Sequence, residues 1–166
     1  LKAGVKIASI HPMFGPDIEL LADCNILLCD GGDLSAQTSI HQILILTSAR
    51  LINIPIAEHD NLMSYVLGAA HLVNLSFGTM MAASGLSLKA IQEVAGTTMK
   101  NQMDVAVNVA RENPDLYFEI QHLNTFTPQL IERFERIVTS YRGAIASGSR
   151  AEFKELMASA KAFFAG

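Results

Sequence analysis

The sequence predicts a mainly α-helical protein in which a short α/β segment is followed by an all-helical domain. Residues 5–10 and 25–29 are short apolar runs bounded by turn residues, a pattern typical of strands. In the later part of the chain the apolar positions recur at helical spacing, and residues 61–88 contain no Asp, Glu, Lys or Arg. We therefore expect two parts, an α/β part over residues 1–57 and a helical part over residues 58–166.

The first predicted strand, residues 5–10, leads directly into His11. Pro12 and Gly15-Pro16 then indicate that the chain turns. Chemistry in open α/β sheets gathers beyond the carboxyl ends of the strands, so a histidine at this position is a candidate site residue. The alternative is that His11 only caps the strand and bonds a backbone carbonyl.

The rest of the α/β part contains two more strands and one helix. A strand over residues 25–29 precedes Asp30-Gly31-Gly32-Asp33, which we predict to be a turn. A calcium loop would need further oxygen ligands at regular spacing. A helix follows, with His41 on its surface or in its packing. A third strand over residues 51–56 contains Pro55, so we expect it at the sheet edge or ending there. Strand, helix and strand in this order are typical of the tail of a doubly wound sheet.

The helical part begins at Glu58-His59-Asp60, where acidic groups suit the positive end of a helix dipole. The uncharged helix that follows is expected to end at Ser84-Gly85. Ser87 is predicted to be an N-cap, and Pro114 is predicted to be the first residue of another helix. The later helices are predicted over residues 88–95, 99–111, from 114 onward, 128–145 and 150–164.

The uncharged stretch could suggest a membrane span, but Asn61, His71, Asn74 and other polar residues punctuate it. A spanning helix needs about 20 nearly continuous apolar residues. We therefore expect a buried helix of a soluble protein, central in a bundle or covered by a partner chain. Short helices from one chain cannot easily cover a stretch of this length, so a homodimer is expected.

Composition and missing motifs argue against several classes of function. The net charge of −4 argues against nucleic-acid binding. Cys24 and Cys29 form no CxxC motif, so free thiols in the reducing cytoplasm are expected. Neither GxSxG nor GxGxxG occurs. His59 and His71 would lie about 18 Å apart along a regular helix, so they cannot share an ion, and no metal site is predicted.

Several motifs together resemble the prephenate dehydrogenase family of tyrosine biosynthesis. They are His11-Pro12-Met13-Phe14-Gly15-Pro16, Glu58-His59-Asp60, His71, Asn113-Pro114-Asp115-Leu116-Tyr117 and Asn124. The resemblance covers essentially the whole chain but only the rear portion of such an enzyme, and the chain also begins without an initiator Met. It implies the last strands of a Rossmann-type dinucleotide-binding domain over residues 1–57. Residues 58–166 would form a helical dimerisation domain like the C-terminal domain of 6-phosphogluconate dehydrogenase.

The resemblance also implies a reaction. The family oxidises the ring hydroxyl carbon of prephenate by hydride transfer to NAD or NADP, and carboxylate loss then gives 4-hydroxyphenylpyruvate. His11 matches the histidine that acts as base on the hydroxyl proton. The GxGxxG turn would lie in a missing part, so Pro12 and Met13 are the only candidate cofactor contacts. The chain alone is expected to be inactive and not to bind NAD.

For the substrate pocket the resemblance implies His71 and His59, of which His71 is the stronger candidate. Asn108 stands where many family members have an arginine that holds a substrate carboxylate, and an amide cannot form a charged fork. Lys100 is the alternative cation, unless it is a solvated surface lysine. The further polar candidates on the next helix are Gln121 and His122.

Three functions stay open from the sequence. The first is prephenate or arogenate dehydrogenase, because the missing arginine leaves the substrate undecided. The second is a non-catalytic dimerisation or regulatory module with relic histidines. The third, a hydroxy-acid dehydrogenase of the 6-phosphogluconate type, shares the architecture, but the HPMFGP string is not its signature. The choice between NAD and NADP and feedback by tyrosine also stay open.

Overall fold

The structure is a computed structural model that describes residues 4–15 and 18–166. The chain divides into two compact units, Leu1–Met63 and Ser64–Gly166. The first unit holds a three-stranded sheet, and the second is helical. The predicted fold class, mainly helical with an α/β segment before the helical part, is confirmed. The predicted turn at Gly15-Pro16 lies partly outside the described residues.

Each unit is a simple succession of elements. The first contains strands β1 (Ala8–Pro12) and β2 (Asn25–Gly32), helix α1 (Leu34–Leu44) with a 3₁₀ turn at Ile45–Thr47, strand β3 (Arg50–Ile54) and helix α2 (Ile56–Met63). The second contains a π-helical segment (Ser64–Ala69) and helices α3 (Ala70–Ala83), α4 (Leu88–Val94), α5 (Thr97–Arg111), α6 (Pro114–His122), α7 (Thr127–Ser147) and α8 (Arg150–Phe164).

The sheet of the first unit has the order β1-β2-β3. The central strand β2 pairs antiparallel with β1 and parallel with β3. Its apolar run is buried, because a central strand packed on both faces needs apolar side chains in both directions. The buried residues of this run are Ile26, Leu27, Leu28 and Cys29. β3 lies at the sheet edge and ends at Ile54, as Pro55 predicts.

Several predicted boundaries in the first unit are wrong, and the third strand, predicted over residues 51–56, gives way to helix α2 at Ile56. β1 starts at Ala8, three residues later than predicted, and β2 continues to Gly32 through the expected turn. The register shifts so that Ala8 pairs with Gly32 and Ser9 pairs with Cys29. Gly32 has φ +123°, and a Cβ atom there would lie 2.5 Å from the carbonyl oxygen of Ile7. Glycine therefore lets the strand continue as a bulge instead of reversing.

The two aspartates beside the glycine pair cap helices. Asp33 accepts hydrogen bonds from the Ser35 hydroxyl and from the backbone N–H groups of Ser35 and Ala36 at the start of α1, and these bonds lower the pKa of Asp33. Asp30 Oδ1 accepts a hydrogen bond of 2.7 Å from the backbone N–H of Ile56, the first residue of α2. Each carboxylate satisfies an N-terminal donor and complements the helix dipole.

The predicted starts of two later helices are confirmed. Ser87 Oγ accepts a hydrogen bond from the backbone N–H of Ala90 and caps α4. Asn113 Oδ1 accepts one from the backbone N–H of Asp115, and Pro114 is the first residue of α6. Proline fits there because its missing N–H would have had no partner within the helix.

The uncharged helix is not regular throughout. Residues Ser64–Ala69 form the π-helical segment between α2 and α3. Further along, the buried Asn74 donates to the carbonyl oxygen of Ala70 and accepts from Gln102 Nε2 at 2.9 Å. This buried amide is satisfied within the second unit.

The helical stretch Ile56–Ala83 is largely exposed within one chain, since only 11% of its most apolar window is buried. By length and composition it could cross a membrane, a test that core helices of soluble proteins also pass. Of the two expected alternatives, burial by the chain's own helices is not found in the single chain, and burial by a partner chain stays a prediction. Its exposed apolar side chains include Tyr65, Val66, Val73 and Met80.

The bulge at Gly32 leads to a prediction about the free energy of unfolding. Gly32→Ala should lower the free energy of unfolding by about 2 kcal/mol or more, because the left-handed φ and the Ile7 carbonyl oxygen both exclude a Cβ atom. Urea denaturation followed by circular dichroism measures the change. Gly143→Ala is the control: a Cβ there meets nothing within 4 Å, and in mid-helix it should add about 0.5 kcal/mol. Equal effects at both positions would contradict the strained bulge.

Candidate functional site

The first unit brings two histidines into direct contact. His11 lies near the end of β1, and His59 lies in the first turns of α2. His11 Nδ1 and His59 Nε2 are 2.9 Å apart, within hydrogen-bond distance. The ring centroids are 5.1 Å apart with the planes tilted by 52°, so the rings meet through their nitrogens and are not stacked.

A carboxylate continues this contact. His59 Nδ1 lies 2.8 Å from Oδ1 of Asp60, the next residue of α2. The His59 side chain is 18% exposed, whereas that of Asp60 is 61% exposed. The structure therefore contains a chain of polar groups, Asp60–His59–His11, that runs from solvent toward the end of β1. We call it the histidine chain.

The environment of His11 favours its neutral form. Partial burial lowers the pKa of His11 below its ordinary value of 6.5, because desolvation penalises the charged imidazolium, and the charge of His59 lowers it further. A histidine that is neutral at pH 7 keeps a lone pair for accepting a proton. The chemistry available to this group is thus that of a general base.

The two residues after His11 occupy the end of β1. Pro12 is exposed and pairs in register with Ile26 of β2. Met13 is half-buried, and its backbone N–H donates to the carbonyl oxygen of Asn25 at 2.9 Å. The backbone donor of Met13 is therefore already used, which leaves its side chain as the group available for a ligand.

The second unit holds the other predicted histidine. His71, in the first turn of α3, stacks on Tyr117 of α6 with the ring centroids 4.2 Å apart. Its Nδ1 atom is buried and has no hydrogen-bond partner among the described residues. Burial lowers the pKa of His71, and the negative charge of Glu112 opposes that shift. Burial and the charge of Glu112 both raise the pKa of Tyr117.

Gln121 lies one helical turn beyond Tyr117 on α6. Its Nε2 atom donates to the carbonyl oxygen of Gly68, at 3.0 Å, in the π-helical segment. Its Oε1 atom is buried and without a partner in the described part of the chain. Buried polar atoms are normally hydrogen-bonded, so the unpaired atoms of His71 and Gln121 each mark a position where a ligand or water would be favoured. π-helical segments also occur frequently at functional sites.

The remaining predicted substrate residues lie elsewhere in the second unit. Lys100 is exposed and lines a cavity of about 510 Å³ whose walls are mostly apolar, with Phe77 and Met81 among its residues. Asn108 is exposed on α5. His122 is exposed and stacks on Phe118, with the ring centroids 5.1 Å apart. The structure thus groups His71 with Gln121 and gives Lys100 a different, apolar setting.

Sequence reasoning did not identify two residues that contact the predicted histidines, namely Asp60 beside His59 and Tyr117 beside His71. Asp60 was assigned only to the helix start, and Tyr117 was noted only as part of a motif. The adjacency of His59 and Asp60 was a signal for a carboxylate–histidine pair. Among residues 4–15 and 18–166, no group of three or more His, Cys, Asp or Glu side chains is placed to hold a metal ion.

A small sheet followed by a helical unit is a fold that this chain shares with solved dehydrogenase structures. A crystal structure of arogenate dehydrogenase from Synechocystis shares it with a TM-score of 0.67, at 15% identity, over 93% of this chain and 59% of that one. Residues 55–159 match the family described as prephenate dehydrogenase, dimerization domain. The chain therefore belongs to the prephenate dehydrogenase family.

Curated relatives agree with this assignment. A Methanocaldococcus jannaschii protein named "Probable arogenate/prephenate dehydrogenase" is 25% identical over 99% of this chain and 37% of its own length. The 4-amino-4-deoxyprephenate dehydrogenase of Streptomyces pristinaespiralis is 23% identical over 93% of this chain and 52% of its own length. This chain thus spans between about a third and about half of these relatives.

The two depressed histidine pKa values make the stability of the chain depend on pH. Since the pKa values of His11 and His71 are lower in the folded state than the ordinary 6.5, the folded state binds fewer protons than the unfolded state just below pH 6.5. Stability should therefore rise with pH through this window and fall as the pH is lowered below it. Thermal unfolding midpoints measured between pH 5 and pH 7.5 test this.

Variants of the two histidines identify which groups cause the dependence of the unfolding midpoint on pH. His11→Asn and His71→Asn should each make the increase in midpoint between pH 5 and pH 6.5 smaller, because each removes one of the depressed groups. Asn108→Ala, which changes no titratable group, should keep the slope of the parent. A slope unchanged in both histidine variants would contradict the assignment.

Proposed function

We propose that the full-length protein carrying this chain is a cytoplasmic, nicotinamide-dependent dehydrogenase that converts prephenate to 4-hydroxyphenylpyruvate, with His11 as the general base. One observation carries the proposal: the chain belongs to the prephenate dehydrogenase family, and its HPMFGP histidine is held against His59 at 2.9 Å with a lowered pKa. The names of the curated relatives support the substrate class.

Removal of the proton from the ring hydroxyl is the step that His11 performs. Its free ring nitrogen accepts the proton of the ring hydroxyl, and the electron pair of that O–H bond forms the carbonyl bond as a hydride leaves the same carbon. Carboxylate loss as carbon dioxide then aromatises the ring. Because His11 is neutral near pH 7, it accepts this proton without first losing one of its own.

A bound NAD or NADP would supply the hydride acceptor. The residues fit such a group in part: His11, whose pKa is lowered, lies near the end of β1, and Pro12 is exposed beside it. The sequence contains no GxGxxG. We therefore assign the binding of the cofactor phosphates to residues outside this chain, and we expect the chain alone to be inactive.

We further assign His71 and Gln121 to substrate binding, since each has a buried polar atom without a partner in the described residues. Lys100 and Asn108 are weaker assignments, because both are exposed and Lys100 lines an apolar cavity. His59 is better explained by its contacts with His11 and Asp60 than by contact with substrate.

Arogenate is the second candidate substrate, and one observation favours it. The negative charge of Glu112 acts on His71 and Tyr117. A negative charge at this place suits the ammonium group of arogenate better than the pyruvyl group of prephenate. A comparison of kcat/KM for the two substrates, in the same nicotinamide absorbance assay, decides between them.

The role of His11 makes an activity prediction. In the full-length protein, His11→Asn should lower kcat by about 10²–10⁴-fold, the range for loss of a general base. His41→Asn, which changes a histidine of α1 in the same unit, should leave kcat unchanged. Turnover is followed by nicotinamide absorbance. A loss of only a few-fold would exclude His11 as the base, and a parent inactive on both substrates would favour a non-catalytic module.

We also propose that the protein is a homodimer through the helical unit. The matched family is a dimerization domain, and the helical stretch Ile56–Ala83 leaves apolar side chains exposed in the single chain. Burying them against a second copy would remove apolar surface from water, at about 25 cal/mol per Å². In a two-fold interface, the stretch Ile56–Ala83 of both chains would contribute to the contact.

Light scattering at micromolar concentration should give the mass of a dimer. Met80→Glu, at a side chain that is 58% exposed, should shift the protein toward monomer because it would bury an unpaired charge. Met80→Leu keeps the position apolar and should remain dimeric. A monomeric parent would contradict the proposal.

A further inference from the structure

We propose that Asp60 and His59 are positioning residues that fix the tautomer of His11, placing its proton on Nδ1 and leaving Nε2 as the acceptor. The inference rests on the proposed function for its catalytic consequence. The tautomer itself follows from the geometry of the histidine chain.

The first step is the contact between Asp60 and His59. An ionised carboxylate can only accept hydrogen bonds. Because Asp60 Oδ1 lies 2.8 Å from His59 Nδ1, that nitrogen must carry the proton. In neutral His59 the other nitrogen, Nε2, is then unprotonated and can only accept.

The second step is the contact between His59 and His11, which fixes the position of the proton on His11. His59 Nε2 lies 2.9 Å from His11 Nδ1, and two lone pairs cannot share a hydrogen bond of that length. His11 Nδ1 must therefore donate, and neutral His11 keeps its lone pair on Nε2. The arrangement matches the general pattern in which a carboxylate orients an imidazole and selects its tautomer.

The reverse arrangement would block the base. If His59 carried protons on both nitrogens, it would donate from Nε2 to His11 Nδ1. The proton of neutral His11 would then sit on Nε2, and that nitrogen could not accept the substrate proton. A neutral His59 is thus as necessary as a neutral His11.

Other titratable groups lie on the elements packed against these residues. Asp30 on β2 and Asp33 beyond it cap α2 and α1. His41 lies on α1, which packs on β1, and Glu58 precedes His59 on α2. Burial is the larger cause of the lowered pKa of His11, and the charge of His59 is the smaller one. His41→Gln therefore serves as the control for a change at another titratable group of this unit.

The test uses three variants of the full-length protein. The carbonyl oxygen of His59→Gln can still accept from His11 Nδ1, whereas His59→Leu has no acceptor. We expect the Gln variant to keep kcat within about tenfold and the Leu variant to lose about 100-fold or more. Asp60→Asn, whose amide can donate as well as accept, should fall between them. His41→Gln should match the parent.

The contrast between the two His59 variants separates positioning from a merely structural role. Rescue of kcat by Gln but not by Leu is expected only if His11 needs a hydrogen-bond acceptor from residue 59. Equal losses in the Gln and Leu variants would overturn the proposal, because an acceptor would then not be what His11 needs from His59.

A readout without turnover keeps the two proposals distinguishable. In ¹⁵N-histidine NMR spectra near pH 7.5, parent His11 should be protonated on Nδ1, and His59→Leu should show a mixture of both tautomers. The same mixture in the parent would overturn the inference. A parent with the Nδ1–H tautomer but no activity on prephenate or arogenate would refute the proposed function while supporting the tautomer assignment.

Discussion

The hydrogen bond from the backbone N–H of Ile56 to Asp30 fixes where α2 begins relative to the sheet. It joins the end of the central strand to the first residue of the helix. Gly31 supports the same junction, because a Cβ atom there would lie 3.1 Å from the Ile56 side chain. With the helix start fixed, the first turn of α2 places His59 against His11. The geometry of the candidate base therefore depends on a capping interaction three residues away.

Helix capping and the candidate site are thus linked through one short segment. Asp30, Gly31, Gly32 and Asp33 continue the strand, allow the bulge and start two helices. A change among them would reach His11 through the position of α2, because the contact between the two rings tolerates little movement at hydrogen-bond distance. The acidic Gly-Gly segment is a structural determinant of the site.

The helical unit follows a different principle. Its helices are defined locally, by caps at Ser87 and Asn113 and by proline at the start of α6. The long uncharged stretch leaves apolar side chains exposed in the single chain. Where polar side chains are buried in this unit, Asn74 is fully paired, whereas His71 and Gln121 keep unpaired atoms. The contrast separates a structural amide from groups suited to ligand binding.

The sequence alone determined the order of the two parts, the apolar strand that begins at Asn25, the strand end at Pro55, the cap at Ser87 and the helix start at Pro114. These are local signals, since apolar periodicity, proline and capping side chains act within a few residues. The HPMFGP and EHD motifs also indicated the family without any coordinates.

Only the tertiary structure decided the features that depend on contacts between residues far apart in the chain. Whether Gly31-Gly32 turns or bulges depends on pairing with β1, and whether Asp30 is a loop residue or a cap depends on α2, 26 positions later. The contact between His11 and His59 likewise joins two elements 48 positions apart. No local pattern encodes which ring nitrogen faces which. On that pairing rest both the proposed role of His11 as base and the lone pair proposed for its Nε2 atom.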